Sequence, residues 1–468
     1  MRFWRILTLL LVVAVAGINL WRTGTESLHQ ATAPVVSPAA GYATAVPTLF
    51  ATGYAWLIGA LLTGLLWPRR GEIGLVLSVG AGVGIGLTSL VYFLAGWITT
   101  SPVAVVYPVE LLLCCVLFFL WLRKMRTIPP LPVLAPPARS WLGSLVRSVF
   151  LAGCAIALYA LASTWPPLSE PPANLLLISA GLARIRAYAG TETSLAAGLV
   201  PAIFTFATVG LLIAGVNRLR NRLIALAGGL LLLGTPGFVR FTPGTSVDIP
   251  VGFYLLAATI LVSIARDEDD GGILFLAGLT AGLAAWTGQT GLIFCAALGL
   301  FFVLTQALRK RWRNLPPLLG GLALTLVPLV WFKFGHALPA GNHSAWPGLG
   351  PALPTGWRDL PRFGEWYSLP FLMMALHLIG PGRGWLERRT VVVAALLLLV
   401  LAGKYAAGLL SPSDLPQQPA AAPGRLLMQV WPVAVFLWCQ LAVRAAPAAA
   451  QTSPAESPAD LAPSGRSA

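Results

Sequence analysis

Long apolar runs recur along the chain from residue 3 to residue 443, with short polar joints between them. A helix of about 20 apolar residues crosses the ~30 Å hydrocarbon core of a bilayer, so the pattern predicts an all-α, polytopic transmembrane bundle of about fourteen spans. The runs cover 3–21, 42–66, 73–97, 103–122, 142–163, 194–214, 223–239, 248–265, 272–287, 290–307, 315–334, 367–382, 390–410 and 426–443. The opening MRFWR and the run behind it read as the first membrane helix rather than a cleaved leader, because a small-residue cleavage site is weak and further spans follow directly.

The joints alternate in charge. Arg69 and Arg70, then Arg123, Lys124, Arg126 and Arg139, then Arg218, Arg220 and Arg222, fall in every second joint. Arg266, the group Arg309, Lys310, Arg311 and Arg313, and the group Arg383, Arg388 and Arg389 continue the series. Excess Lys and Arg mark cytoplasmic joints, which places both termini in the cytoplasm. Arg184, Arg186, Arg358 and Arg362 are the exceptions on the other side. The expected organisation is one membrane domain over 1–445, with outer segments at about 22–41, 164–193, 335–366 and 411–425. A polar tail at 446–468, rich in Ala, Pro and Ser, is expected to be disordered and cytoplasmic.

Composition agrees with a membrane protein: 57% of residues are hydrophobic and only 10% charged, against roughly 25% charged in an average globular domain. Mean hydropathy is +0.79. The net charge of +15 would suggest nucleic acid in a soluble chain, but these cations border spans and point instead to anionic membrane lipids. The five cysteines all sit inside apolar runs, without metal-site spacing or a disulfide framework. No GxGxxG, P-loop or HExxH sequence is present.

Within 164–193, the pairs Pro166, Pro167 and Pro171, Pro172 precede a stretch that places Leu175, Leu176, Ile178, Leu182 and Ile185 along one side of a helix. This predicts a helix in the outer membrane interface, with Arg184 and Arg186 reaching headgroups from its polar side; it either reconnects two spans or floors a site. In 335–366, His336 and His343 lack metal-site spacing, and Trp346, Trp357 and Trp366 fit an interfacial aromatic belt. The acids Asp267, Glu268, Asp269 and Asp270 read as a solvated turn, since they lack the alternating ligands of a calcium loop. Gly80 with Gly84, and Gly278 with Gly282, have the small-x-x-x-small spacing that lets helix backbones approach. Lys404, close to the outer end of an apolar run, is expected to snorkel, with a cavity or a partner as the alternatives.

Residues 248–304 open a span with Asp248, Ile249 and Pro250 and continue into a Gly-rich segment from Ala277, Gly278 and Leu279 to Trp286 and Thr287. This stretch resembles the central part of bacterial GT-C superfamily glycosyltransferases, in particular the group related to protein mannosyltransferases and lipopolysaccharide-core sugar transferases. The turn that follows is Gly288, Gln289, Thr290 and Gly291, where that family carries a charged Lys and Glu. Residues 409–432 resemble the ending of the same proteins through Asp414, Leu415, Arg425, Gln429, Trp431 and Pro432, without the family's Trp-His pair.

The resemblance implies a bacterial inner-membrane enzyme that takes a sugar from a polyprenyl-phosphate donor and passes it to a glycan or lipid acceptor on the extracytoplasmic face, with inversion. It also implies an outward-facing carboxylate that activates the acceptor hydroxyl, and it admits a divalent cation assisting departure of the phosphate. General-base chemistry needs the carboxylate within hydrogen-bond reach of the acceptor. Glu170 and Asp248 are the catalytic candidates, and Arg184, Arg186, Arg240, Asp414 and Arg425 the substrate-binding ones. Each has a simpler reading: Glu170 as a hydrated loop residue, Asp248 as a helix cap, and the others as snorkelling or exposed loop charges. A noncatalytic relative that binds lipid-linked glycan or stabilises an envelope assembly, and a multispanning transporter, are the alternatives.

Overall fold

The computed structural model describes residues 17–19, 22, 25, 38–67, 72–127, 141–163, 176–190, 194–239, 245–268, 270–335, 387–409 and 422–441. They are almost entirely helical, with no strand among them. In chain order these are α1 (Pro38–Leu66), α2 (Ile73–Ile98), α3 (Pro102–Thr127), α4 (Trp141–Ser163), α5 (Leu176–Ala189), α6 (Ser194–Leu219) and α7 (Arg222–Leu233). After a single turn at Pro236–Val239 come α8 (Thr245–Glu268), α9 (Gly271–Thr287), α10 (Gln289–Arg309), α11 (Leu315–Gly335), α12 (Arg388–Leu409) and α13 (Ala422–Leu441).

Eight of these helices are long and apolar enough to cross a membrane, and four apolar helices are shorter. The chain is a multi-pass helical membrane protein. The expected spans at 3–21 (apart from 17–19) and 367–382, the outer segments at 336–366 and 411–421, and the tail lie outside the described residues. The span expected at 223–239 is broken. Gly234 closes α7, Thr235 follows, and Pro236, which has no amide hydrogen to continue the ladder, starts a new turn. At 12 residues, α7 is about 18 Å long, well short of a bilayer core.

Helix α8 lies at the centre, buried throughout Asp248–Ala265, and packs on α6, α9 and α13. The outside of the bundle is apolar as well: Leu111, Leu112, Phe118 and Phe119 on α3 and Leu300, Leu304 and Leu308 on α10 are exposed. That surface suits acyl chains rather than water. Inside, many hydroxyls return to carbonyls of their own helix, as from Thr208 to Phe204 O (2.6 Å) and from Thr259 to Leu255 O (2.7 Å), which pairs them without a partner from another helix. The five cysteines are free thiols.

Lipid does not drive helices together as water does, so close backbone packing carries more of the association. The two glycine pairs noted in the sequence perform this role. A Cβ on Gly84 would meet the Ala55 carbonyl of α1, and one on Gly278 would meet the Leu318 carbonyl of α11. Gly84→Leu is expected to separate α1 from α2 and cost about 1–3 kcal/mol or more. Gly96→Leu on the same helix, where a Cβ meets nothing within 4 Å, is the control. Equal thermal midpoints for the two variants in detergent would count against this packing.

Polar contacts gather the basic joints at one end of the bundle. Arg218 pairs with Glu72, which also accepts from the Trp67 indole (3.1 Å). Lys124 donates to the carbonyls of Leu65 (2.6 Å) and Trp67 (2.5 Å), closing the last turn of α1. Arg220 grips Glu387 through two bonds (3.0 and 2.7 Å) and donates to Gln440, tying the end of α6 to the start of α12 and the end of α13. Asp270, read from sequence as part of a solvated turn, caps α9 by accepting from the amides of Gly272 (2.7 Å) and Ile273 (3.1 Å).

Candidate functional site

The opposite end of the bundle carries the residues singled out by chemistry. Helix α5 forms within the predicted stretch, and Ile178, Leu182 and Ile185 are buried as its apolar side requires. It packs against α1, α2 and α6 rather than lying free in an interface. Gly181 permits that approach, since a Cβ there would press on the Ser89 hydroxyl of α2.

Arg184 corrects the expectation that it reaches lipid headgroups: its side chain is 2% exposed and turns into the bundle. Its Nε and Nη2 donate to the two carboxylate oxygens of Glu110 on α3, each at 2.6 Å, and Nη1 donates to Ala51 O on α1 at 3.0 Å. The Tyr188 hydroxyl, one turn on, donates to Glu110 Oε2 at 2.8 Å, and the guanidinium carbon lies 4.8 Å from that ring's centre. A carboxylate that is itself fully buried wins Arg184 because the bidentate, charge-assisted pair satisfies both ions where no water is at hand. Burial, and then the Glu110 carboxylate it donates to, push the Tyr188 phenol up, so it remains a donor into strongly alkaline solution. Arg186 stays half-buried near the C-terminus of α5, where a cation suits the helix dipole.

Glu110 was missed in reading the sequence for sites. A signal was there: it is an acid inside the apolar run of α3, between Val109 and Leu111, and an ionisable residue within a span marks a buried partner or a functional group.

Asp248 sits in the first turn of α8 and is fully buried. It accepts from Gln429 Nε2 of α13 at 2.6 Å, across 181 residues of sequence. The two stretches of family-like residues, one opening at Asp248 and the other ending at Gln429, Trp431 and Pro432, thus lie against each other. Trp431 donates to Thr235 Oγ1 (3.0 Å), and Gly252 lets α8 approach the Gln429 carbonyl and Pro432. The amide oxygen of Gln429 is buried without a hydrogen-bond partner among the described residues.

Lys404 of α12 is half-buried and donates to Gln289 Oε1 at 2.8 Å, so it has a protein partner rather than only a path to the interface. Gln289 belongs to the turn where the resembling family carries charge, and Gly288 beside it adjoins Val251, one turn beyond Asp248 on α8. A cation from a distant helix therefore stands at a turn that has none of its own.

Glu170, Arg240 and Asp414 lie outside the described residues; Arg425 falls in the first turn of α13, and its side chain is likewise outside them. His336 and His343 are outside them too. Among the described residues no three His, Cys, Asp or Glu side chains come together as a metal site. At this end the carboxylates among the described residues are Asp248 and the ion-paired Glu110, which do not make a cation cage.

Residues 169–332 match the family model described as dolichyl-phosphate-mannose-protein mannosyltransferase. The match bears out the GT-C resemblance read from residues 248–304, and it takes in Arg184, Arg186, Asp248 and Gln289. Glu110, Lys404 and Gln429, which complete the contacts, fall outside it. No curated protein and no solved structure matches the chain.

Proposed function

We propose, on the premise of that match to a mannosyltransferase family, that the protein is a GT-C-type membrane glycosyltransferase. It takes a sugar from a polyprenyl-phosphate donor and transfers it to a glycan or lipid acceptor on the extracytoplasmic face of a bacterial inner membrane. Both termini are cytoplasmic, the membrane domain spans 1–445, and 446–468 is a cytoplasmic tail. The match over 169–332 is the observation that carries this reading.

The acceptor hydroxyl oxygen attacks the anomeric carbon, the bond from that carbon to the donor phosphate oxygen breaks, and polyprenyl phosphate leaves with the bonding electrons. The hydroxyl proton passes to a carboxylate, a step that general-base catalysis accelerates by about 10²–10⁴. Asp248 has the features of that carboxylate: it opens a central helix, and the Gln429 amide fixes one of its oxygens. Glu170, at the start of the matched region, is the second candidate. Lys404 at the Gln289 turn supplies positive charge toward a leaving phosphate, together with Arg186, Arg240 and Arg425. Asp414 shapes the outer loop before α13. Arg184 acts differently, since its guanidinium is committed to Glu110 and fixes α5, the platform that carries Arg186.

The test uses the full chain in liposomes with a panel of radiolabelled polyprenyl-phosphate sugars and a membrane lipid extract as acceptor. Transfer of label from at least one donor is expected. A folded protein that transfers nothing from any donor would overturn the enzymatic reading and favour a glycan-binding role.

A further inference from the structure

At the basic end of the bundle, far along the chain axis from Asp248, a pocket opens between α8, α9, α10 and α12. Part of its lining is polar and cationic, formed by Thr305, Gln306, Arg309, Arg311 and Asn314. The rest of its lining is apolar, with Phe301, Phe302 and Val392 among it. Gln306 is 8% exposed, and its amide oxygen is buried with no hydrogen-bond partner among the described residues. A buried acceptor left unsatisfied is costly, and in a native site it points to a missing donor.

The local backbone explains why cations line this pocket. Helix α10 ends at Arg309, Lys310 takes a left-handed conformation (φ 55°), and the chain turns back so that the Arg311 amide reaches Gln306 O at 3.1 Å. After the reversal Arg309 and Arg311 both line the pocket with Gln306, and both are exposed. Two guanidinium groups in the lining suit a phosphate, which Arg binds in bidentate fashion. The buried amide oxygen requires a hydroxyl or amine donor from the same ligand. The apolar walls suit hydrocarbon.

We infer that this pocket binds the headgroup of an anionic phospholipid bearing both a phosphate and free hydroxyls, with its phosphate on Arg309 and Arg311, a hydroxyl on Gln306 and part of an acyl chain against the phenylalanines. The site lies at the opposite end from the sugar-transfer chemistry and does not depend on that reading. It would anchor the α10 to α11 turn to one leaflet.

Native mass spectrometry of the detergent-solubilised full chain tests this with phosphatidylglycerol and phosphatidylcholine of identical acyl chains. Phosphatidylglycerol is expected to bind about tenfold more tightly to the intact chain, to lose that preference in Arg309→Ala/Arg311→Ala, and to weaken several-fold in Gln306→Leu. Equal retention of the two lipids by the intact chain overturns the proposal without recourse to any variant. So does a preference that survives the double substitution. Inorganic phosphate alone is titrated by calorimetry; binding as tight as that of the lipid would assign the pocket to a soluble phosphate and overturn the lipid assignment. Circular dichroism confirms that each variant keeps its helical content before it is compared.

Discussion

Asp248→Asn is expected to lower sugar transfer by about 10²–10⁴ while leaving the protein folded. Asparagine keeps the shape of the side chain and an oxygen that can accept from Gln429, so the contact between α8 and α13 is retained. What it loses is the capacity to take a proton from the acceptor hydroxyl. The loss should therefore appear in kcat, with KM for the donor little changed. Gln429→Ala tests the orienting contact separately: it leaves the carboxylate but frees it to rotate, and a smaller loss is expected. Label transfer measured at saturating donor decides the matter. Asp248→Asn activity within a few-fold of the intact chain would remove Asp248 from the chemistry and leave Glu170, whose Glu170→Gln variant should then be the inactive one.

The second large effect concerns stability. Glu110→Ala leaves the Arg184 guanidinium inside an apolar bundle, where it is 2% exposed and keeps only the Ala51 carbonyl of its three described acceptor atoms. Breaking one side of a buried ion pair costs about 3–5 kcal/mol, because the remaining charge has neither water nor a counter-ion. Replacing both partners removes that burden: Glu110→Leu/Arg184→Leu is expected to recover most of the loss, as apolar substitutes for buried pairs often do. Tyr188→Phe should cost less, about 1.5–3 kcal/mol at most, since it deletes one hydrogen bond to a charged group. Thermal unfolding in detergent orders these variants. If Glu110→Ala and the double variant unfold at the same temperature, the pair is not what holds α5 in place.

How much of the site was legible follows from where its partners lie. Arg184 and Asp248 are conspicuous in the sequence as charges beside apolar runs, and both were singled out. Their directions were not legible. Arg184 sits among apolar neighbours on a helix whose polar side appeared to face outward, and only α3, 74 residues earlier, supplies the carboxylate that draws it inward. Lys404 was likewise evident as a charge within a span, whereas its partner Gln289 stands 115 residues away. Glu110 could have been found by asking which acid interrupts an apolar helix, because such a residue in lipid needs a partner.

The sequence by itself determined that this chain forms membrane helices, roughly where twelve of them run, and which glycines let them touch, since the length of an apolar run and the size of a residue are local properties. Alternation of charge between joints was local too, and contacts of Lys124, Arg218 and Arg220 bring four of the joints it grouped together at one end of the bundle. The tertiary structure decided which face of each helix turns inward. In water, burial would print that choice as an apolar stripe, but in a bilayer the lipid-facing side is as apolar as the core, and the stripe is erased. Thus the exposed Phe119 of α3 and the buried Leu256 of α8 look alike in sequence. Tertiary packing also placed α8 at the centre, and it brought Asp248 to Gln429 and Glu110 to Arg184, because a buried polar group in lipid has no solvent alternative and must find its partner in another helix.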